Sequence, residues 1–446
     1  MRKIDYARLI ELMIQEFYAN KTEYDTMKKY YDNEHKILDC YRKYADKSNE
    51  TVVDNYINKF VNEEVQYSLG APLSYVSKDG RKKKPIEAIY NHTFHWKNTH
   101  NQEVMRTLEI YGKAYLLHYL DSKGRFCEKI LNPANAIAYC NDEGTPILFI
   151  RFYTPKYETQ EYRDIYYPDG RIHTYKGDSF VRENRHFFNG VPVTVCELDN
   201  PKDTIYHKIK SLQDAYNNIL SDQVNTISEF RTAYLVVKGV QVDEEGKENL
   251  KKDRLLNLYG ADGNNISVSW LVKDVPDAYI QNALNTLRAA MYSNTNHIDG
   301  NEKLQSNTSG TALRNRLVFL EQRCNMMLEI VINAVYDRIE RLFEYLDKTA
   351  QGTFNIKEIV IKGTPSIPKD EVSTVQMLSQ LGIGTNISLE TALSQLPFIE
   401  NPIHEIEKIE AEKDKAVNRE LDKQTRSKSI TLDHIDDRTD DSGLDE

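Results

Sequence analysis

Residues 294–310 read NTNHIDGNEKLQSNTSG and run without a break into residues 311–346, TALRNRLVFLEQRCNMMLEIVINAVYDRIERLFEYL. In the second piece Leu313, Leu317, Leu320, Cys324, Leu328, Val331, Val335, Ile339, Leu342 and Leu346 recur at a mean step close to the α-helical period. That spacing predicts a very long helix, whose apolar face is ordinary core between layers rather than a partner-binding stripe. The first piece has two glycines and almost nothing to bury, so it predicts a long loop of the kind that is usually functional or unstructured in a compact protein.

Upstream of the loop, Ile280, Leu284, Leu287 and Met291 predict a helix over Asp277–Asn294. A longer helix is predicted over Ile205–Thr232 from Ile209, Leu212, Tyr216, Ile219, Gln223, Ile227 and Phe230. Both stripes are narrow, which leaves the other faces polar. Between the two helices lies a small α/β insertion. It comprises apolar Tyr234–Val237, a turn at Lys238-Gly239, a charged helix near Asp243–Arg254, a turn at Gly260–Gly263 and a strand Ile266–Leu271.

The part of the chain before Ile205 opens with helices at 3–31, 48–68 and Pro85–Ile110. From Tyr111 the pattern changes to short apolar runs punctuated by Gly, Asp and Pro, giving strands Ala114–Tyr119, Phe126–Leu131, Ile147–Tyr153, Tyr162–Tyr167, Arg171–Tyr175 and Val191–Glu197 with polar turns between them, an antiparallel β block. After the long helix come a strand at Phe354–Ile361, short helices near Glu371–Leu381 and Leu389–Gln395, and a charged helix Pro402–Leu421. From Asp433 the chain holds seven acids and one Arg, the composition of a solvated, disordered tail. The fold class expected is α+β.

The 446 residues carry 58 Lys plus Arg against 68 Asp plus Glu, a net charge of −10, which excludes a protein that coats nucleic acid by neutralising phosphates over its whole surface. Five scattered cysteines, Cys40, Cys127, Cys140, Cys196 and Cys324, form no Cys-x-x-Cys pair and suit a reducing compartment. No apolar run approaches the roughly 18 residues that span a bilayer, and the first residues lack a signal-peptide core, so a cytoplasmic product is expected.

There is no P-loop, no Gly-x-Ser-x-Gly and no His-Glu-x-x-His. His92, His95 and His100 are the nearest approach to a metal constellation, the first two at i, i+3 on the expected helix; without a neighbouring Cys they read as surface histidines beside Trp96. The run Arg81-Lys82-Lys83-Lys84 reads as a solvated loop. No catalytic residue, metal site or cofactor is expected. Tyrosine is abundant at 29, which fits either subunit interfaces or a compositional bias.

Five segments in order resemble one family. They are Asn55–Pro72 (NYINKFVNEEVQYSLGAP), Tyr111–Tyr115 (YGKAY), Asp214–Asn217 with Ser221, Asp222 and Asn225 running into Ala233–Gly239 (AYLVVKG), Ser309–Leu313 (SGTAL) with Leu320-Glu321, and Leu396–Pro402 (LPFIENP) with Glu405. Over about Tyr6 to Glu412 the chain resembles the portal (head-to-tail connector) proteins of tailed phages, of the siphophage type from Gram-positive hosts. The resemblance implies a portal fold with a helical/β wing, a two-helix stem, a small α/β clip, a long spine helix and a helical crown. Residues 1–205 would form the wing, 206–232 stem helix 1, 233–277 the clip, 278–294 stem helix 2, 295–310 the tunnel loop, 311–365 the long wing helix and strand, 366–420 the crown and 421–446 the acidic tail.

It implies a ring, usually of twelve copies, at a capsid vertex of the virion, assembled in the host cytoplasm. Double-stranded DNA would pass through it. The terminase large subunit, the major capsid and scaffolding proteins and a head-completion or neck adaptor would be partners, with no membrane involved. Asn296, Asn301, Lys303, Gln305, Ser306, Asn307 and Thr308 would lie near DNA in the tunnel loop, and Lys238, Glu244, Lys247, Asp262 and Asn264 would dock terminase or adaptor at the clip. A metal-dependent nucleic-acid-modifying enzyme with unrecognised carboxylates is the alternative from another class. A structural adaptor of a defective prophage would share the portal fold.

Overall fold

A computed structural model describes residues 5–40, 50–78, 83–230, 234–238, 267–271, 277–299, 310–363, 388–394, 405, 406 and 408–415. The chain divides into two compact units, Met1–Ser366 and Ile367–Glu446. In the second, α9 (Leu389–Ser394) and helical residues at 405–406 and 408–415 are described. The other parts of the expected crown and acidic tail, including the helix near Glu371–Leu381, lie outside the described residues.

The first unit opens with α1 (Tyr6–Tyr31), started by Asp5, whose carboxylate accepts from the Arg8 amide. A short α2 (Ile37–Cys40) follows. The helix expected from residue 48 begins only at Tyr56: α3 is Tyr56–Leu69, capped by Asn55. The preceding residues 50–55 are extended. The single helix expected over Pro85–Ile110 is two, α4 (Lys84–Thr93) and α5 (His100–Tyr111), because Phe94 to Thr99 turn the chain between them. His95 is therefore not on a helix with His92. α5 stops at Gly112, which is left-handed (φ 73°) and so close to Pro201 that a Cβ there would sit 2.4 Å from its carbonyl oxygen.

The β block is antiparallel throughout. One sheet orders β3 (Phe126–Leu131), β2 (Lys113–Leu120) and β9 (Val193–Glu197). The other runs β4 (Ala136–Cys140), β5 (Pro146–Tyr153), β6 (Tyr162–Tyr166), β7 (Arg171–Lys176), β8 (Ser179–Arg185). β4 and β8 add to the strands read from sequence. β8 is exposed along its whole length, so no inside–outside alternation marks it. α1 lays Met13 and Phe17 on the larger sheet, and the Phe17 ring stacks on Phe152 at 3.7 Å.

The main core joins α3, α5 and α8 (Gly310–Lys348): Phe60, Val61 and Val65 meet Val104, Met105 and Leu108, and Met327, Leu328, Val331 and Val335 close the third side. From Leu320 to Leu346 every member of the apolar stripe is buried, as its spacing predicts. In place of a strand over Phe354–Ile361 the chain forms a 3₁₀ turn at Ile356–Glu358. Then comes β12 (Ile359–Lys362), which pairs with β1 (Ser74–Ser77) far away in sequence.

Candidate functional site

Two helices project the candidate channel elements: α6 (Ile205–Phe230) and α7 (Asp277–Asn294), the latter with the bounds expected. Ile209, Tyr216, Leu284, Met291 and Tyr292 root them in the main core. They are joined by an arm in which β10 (Tyr234–Lys238) pairs antiparallel with β11 (Ser267–Leu271), from Tyr234↔Leu271 to Lys238↔Ser267. The intervening residues 239–266 lie outside the described set.

The narrow stripes leave an open face on α7. Its only charged residues are Asp277 and Arg288, and Arg288 donates to Asp299 at 2.6 Å. The face that remains carries Gln281, Asn282, Asn285, Thr286, Ala289 and Ser293, all exposed, with Tyr279 74% exposed at its start. At the average charged fraction of 28%, an 18-residue helix would carry about five charges. This face is polar and neutral over a rise of about 18 Å.

α7 ends in a paired-carbonyl stop: the His297 amide donates to Tyr292 O, the Asn296 amide to Ser293 O, and Asn296 between them is left-handed at φ 59°. Of the expected tunnel-loop residues, Asn296 is thus the exposed stop of α7. Thr295 and His297, in a stretch read as burying almost nothing, are buried. Asn301, Lys303, Gln305, Ser306, Asn307 and Thr308 lie outside the described residues, as do Glu244, Lys247, Asp262 and Asn264 of the expected clip. Lys238 is the last residue of β10, opposite Ser267.

Two groups of residues that the sequence reading did not single out for these roles fix the helices in place. The first is a ladder on α6, where Gln213, Asn217, Ser221 and Asn225 recur at steps of four and are buried. Their side chains accept from the backbone amides of Tyr56 (2.9 Å), Asp54 (3.1 Å), Val52 (2.9 Å) and Glu50 (2.7 Å) respectively. Gln213, Ser221 and Asn225 also donate back to the carbonyls of Asp54, Val52 and Glu50. Asn217, Ser221 and Asn225 also stand among the family-like residues, and the signal for their role is a four-residue polar repeat beside an apolar stripe.

The second is a buried charge cluster around Arg323 of α8. Its Nε donates to both carboxylate oxygens of Glu64 on α3 at 2.9 Å, and its Nη2 to Glu109 on α5 at 3.1 Å. Asp203, just before α6, takes Nη1 at 3.3 Å. His297 stacks on Phe60 at 4.2 Å and places Nε2 3.8 Å from Glu64. His297, just after α7, and Arg323 of α8 therefore converge on one carboxyl group. Burial, and next the Glu109 charge, push the Glu64 carboxyl well above the usual range although Arg323 opposes them. Burial also lowers His297 to about 3, so its ring is neutral.

A proton held more tightly by the fold than by the unfolded chain stabilises below the ordinary carboxyl value, and that contribution is lost as pH rises. Glu64→Gln, which resembles the protonated form, should therefore match the parent near pH 4 and become progressively more stable than it toward pH 8, as read by urea denaturation across that range.

The three histidines considered for a metal go to different partners: His92 packs on the Tyr345 ring, His95 lies 3.6 Å from Cys127 Sγ, and His100 bonds Glu128 at 2.8 Å. Among the described residues no helix is long and apolar enough to cross a membrane.

The described residues of the first unit thus form a mixed helix-and-sheet fold, in which two helices and a strand pair stand beside two antiparallel sheets and one 39-residue helix. The family described as "Phage portal protein, SPP1 Gp6-like" matches residues 10–419, and the chain belongs to it. The portal protein of Bacillus phage SPP1 is 25% identical over 422 residues, covering 86% of this chain and 82% of that protein. A solved structure described as the neck of an empty GTA particle, computed with C6 symmetry, matches with a TM-score of 0.45 and 14% identity over 77% of this chain and 90% of that one. The family match gives the enzyme alternative no support.

Proposed function

We propose that this chain assembles into a closed ring, of twelve copies as the family resemblance implies, at one vertex of the capsid. Double-stranded DNA passes through it during packaging and ejection. The ring is the docking site first for the terminase large subunit and later for head-completion and neck proteins, and it contacts the major capsid and scaffolding proteins. The clip, 233–277, is the docking region and the loop 295–310 lies nearest the DNA.

The observation that carries this reading is the neutral open face of α7. A basic face would hold phosphates through released counterions and an acidic one would repel them, whereas a hydrated neutral face lets a duplex slide. Exposed apolar side chains on the neighbouring helices, Ile227 of α6 and Val318, Phe319 and Met326 of α8, suit contacts with adjacent subunits that a ring would cover.

The test compares assembly with packaging. Asn285→Lys, which adds one cation per subunit to the face, should leave ring formation unchanged and reduce DNA packaged in vivo, with rings from particles holding DNA more tightly at low salt than at high salt. Shortening 295–310 to a Gly/Ser linker should likewise spare the ring, since loop closure changes only slowly with length, and impair packaging or retention. Wild-type packaging by both variants would contradict the channel assignment.

A further inference from the structure

Residues 50–55 lie extended along α6 in the opposite direction, and the amides of Glu50, Val52, Asp54 and Tyr56 are bonded to side chains spaced four residues apart on the helix. We propose that this ladder is a register clamp. Gln213, Asn217, Ser221 and Asn225 act as positioning residues that fix where α6 stands along its own axis relative to α3, and thereby where the β10–β11 arm is held.

The periodicities make the clamp discrete. Two residues of extended chain advance about 6.6–6.8 Å and four residues of helix about 6.0 Å, so all rungs can be satisfied together only near one setting or a whole repeat away. A slide of 2–3 Å would break every rung, because hydrogen bonds weaken steeply beyond their normal length. The apolar contacts of Ile209, Leu212 and Ile219 are non-directional and would tolerate such a slide. The near-match accumulates an offset of about 2 Å over three repeats, and Gln213, the longest of the four side chains, stands at one end of the ladder. The rungs are buried, so a broken one leaves backbone groups without water to replace it.

The extended segment is itself stiffly tied. Asn55 caps α3 and its amide donates to Tyr30 O and Asn33 Oδ1. Asn217 shares a hydrogen bond with His35 Nδ1, and Tyr30 OH donates to Asp214 of α6. Axial displacement of α6 is therefore passed to α1 and α3 through side chains whose partners are all main chain or fixed by it. Main-chain partners look alike at every residue, so the setting is written in the helix rungs and can be changed there.

The experiment uses the full chain with spin labels carried on unnatural amino acids at exposed Asn218 of α6 and Gln66 of α3, diluted with unlabelled chain so that only the distance within one subunit is read. The parent should give one narrow distance. Asn217→Ala/Ser221→Ala/Asn225→Ala should give a broadened distribution with a component shifted by up to about 6 Å, one four-residue repeat. The amides of Val52 and Asp54 should exchange at least tenfold faster while the α6 and α3 helical amides keep their protection. If the triple variant does not fold, Ser221→Ala/Asn225→Ala, which keeps the two rungs nearest α3, is read in the same way on the Glu50 and Val52 amides. An unchanged narrow distance in a folded variant would show that apolar packing sets the register and would overturn the clamp. Unchanged exchange of the bonded amides would overturn it equally.

Discussion

Arg323→Ala should destabilise the protein by about 3–5 kcal/mol, among the largest losses a single substitution can produce here. The side chain lies between three acidic groups from α3, α5 and the start of α6, and removing it leaves Glu64 and Glu109 facing each other without a cation. Two buried carboxylates in contact cannot both stay ionised, so the variant must take up protons or open. The loss should therefore be smaller at pH 5 than at pH 8. Adding Glu64→Gln should recover part of it, since the neutral amide removes one of the two unpaired charges. Urea denaturation of the single and double variants at both pH values measures this, and additive losses would show that Arg323 and Glu64 act independently.

Arg338→Ala should cost a comparable 3–5 kcal/mol by removing a buried fork-to-fork pair. Its Nε and Nη2 each donate to Glu128 at 2.7 Å, and Nη1 donates to Asn101. Burial alone would raise the Glu128 carboxyl, but Arg338 with His100 and His118 overcomes burial and holds it well below the usual range. In the parent, Glu128 thus contributes stability that is present throughout neutral pH and is lost only in strong acid. Without Arg338, burial prevails, the carboxyl rises, and its contribution changes sign: stability falls as pH increases. The deficit relative to the parent should widen from pH 5 to pH 8, and a deficit independent of pH would mean that lost packing against the Trp96 ring, 5.2 Å from the guanidinium, dominates instead.

The sequence announces whatever is periodic and mostly local. α7 has the bounds its apolar steps predict, α6 is helical over Ile205–Phe230 with the last two expected residues outside the described set, and the stripe on α8 is buried from Leu320 onward. Phe126–Leu131 is a strand with the expected bounds because the turn Asp121–Gly124 precedes it and Pro133 follows it. The extended run 50–55 was hidden because its valines also fit a helical pattern. What overrides that pattern is four side chains more than 150 residues away, which offer the backbone partners outside a helix. The break between α4 and α5 is masked because Ile86 and Ile89 before it and Val104, Met105 and Leu108 after it each keep helical spacing.

Arg323 and Glu64 each sit among apolar neighbours at helical spacing, Leu320, Cys324 and Leu328 on one side and Phe60, Val61 and Val65 on the other. A charge on a core-facing stripe is a sign of a buried partner, but the partner's identity is a property of tertiary packing. His297 falls in a stretch whose composition predicts a polar loop, because a histidine after a helix end gives no indication that a ring from another helix lies beneath it.

Native mass spectrometry of the purified full-length chain at micromolar concentration, with negative-stain images of the same sample, tests the central claim most directly. The account predicts closed rings with a central hole, about 620 kDa for twelve subunits of 51.8 kDa. Monomers or dimers alone, with no rings on the grid, would contradict it.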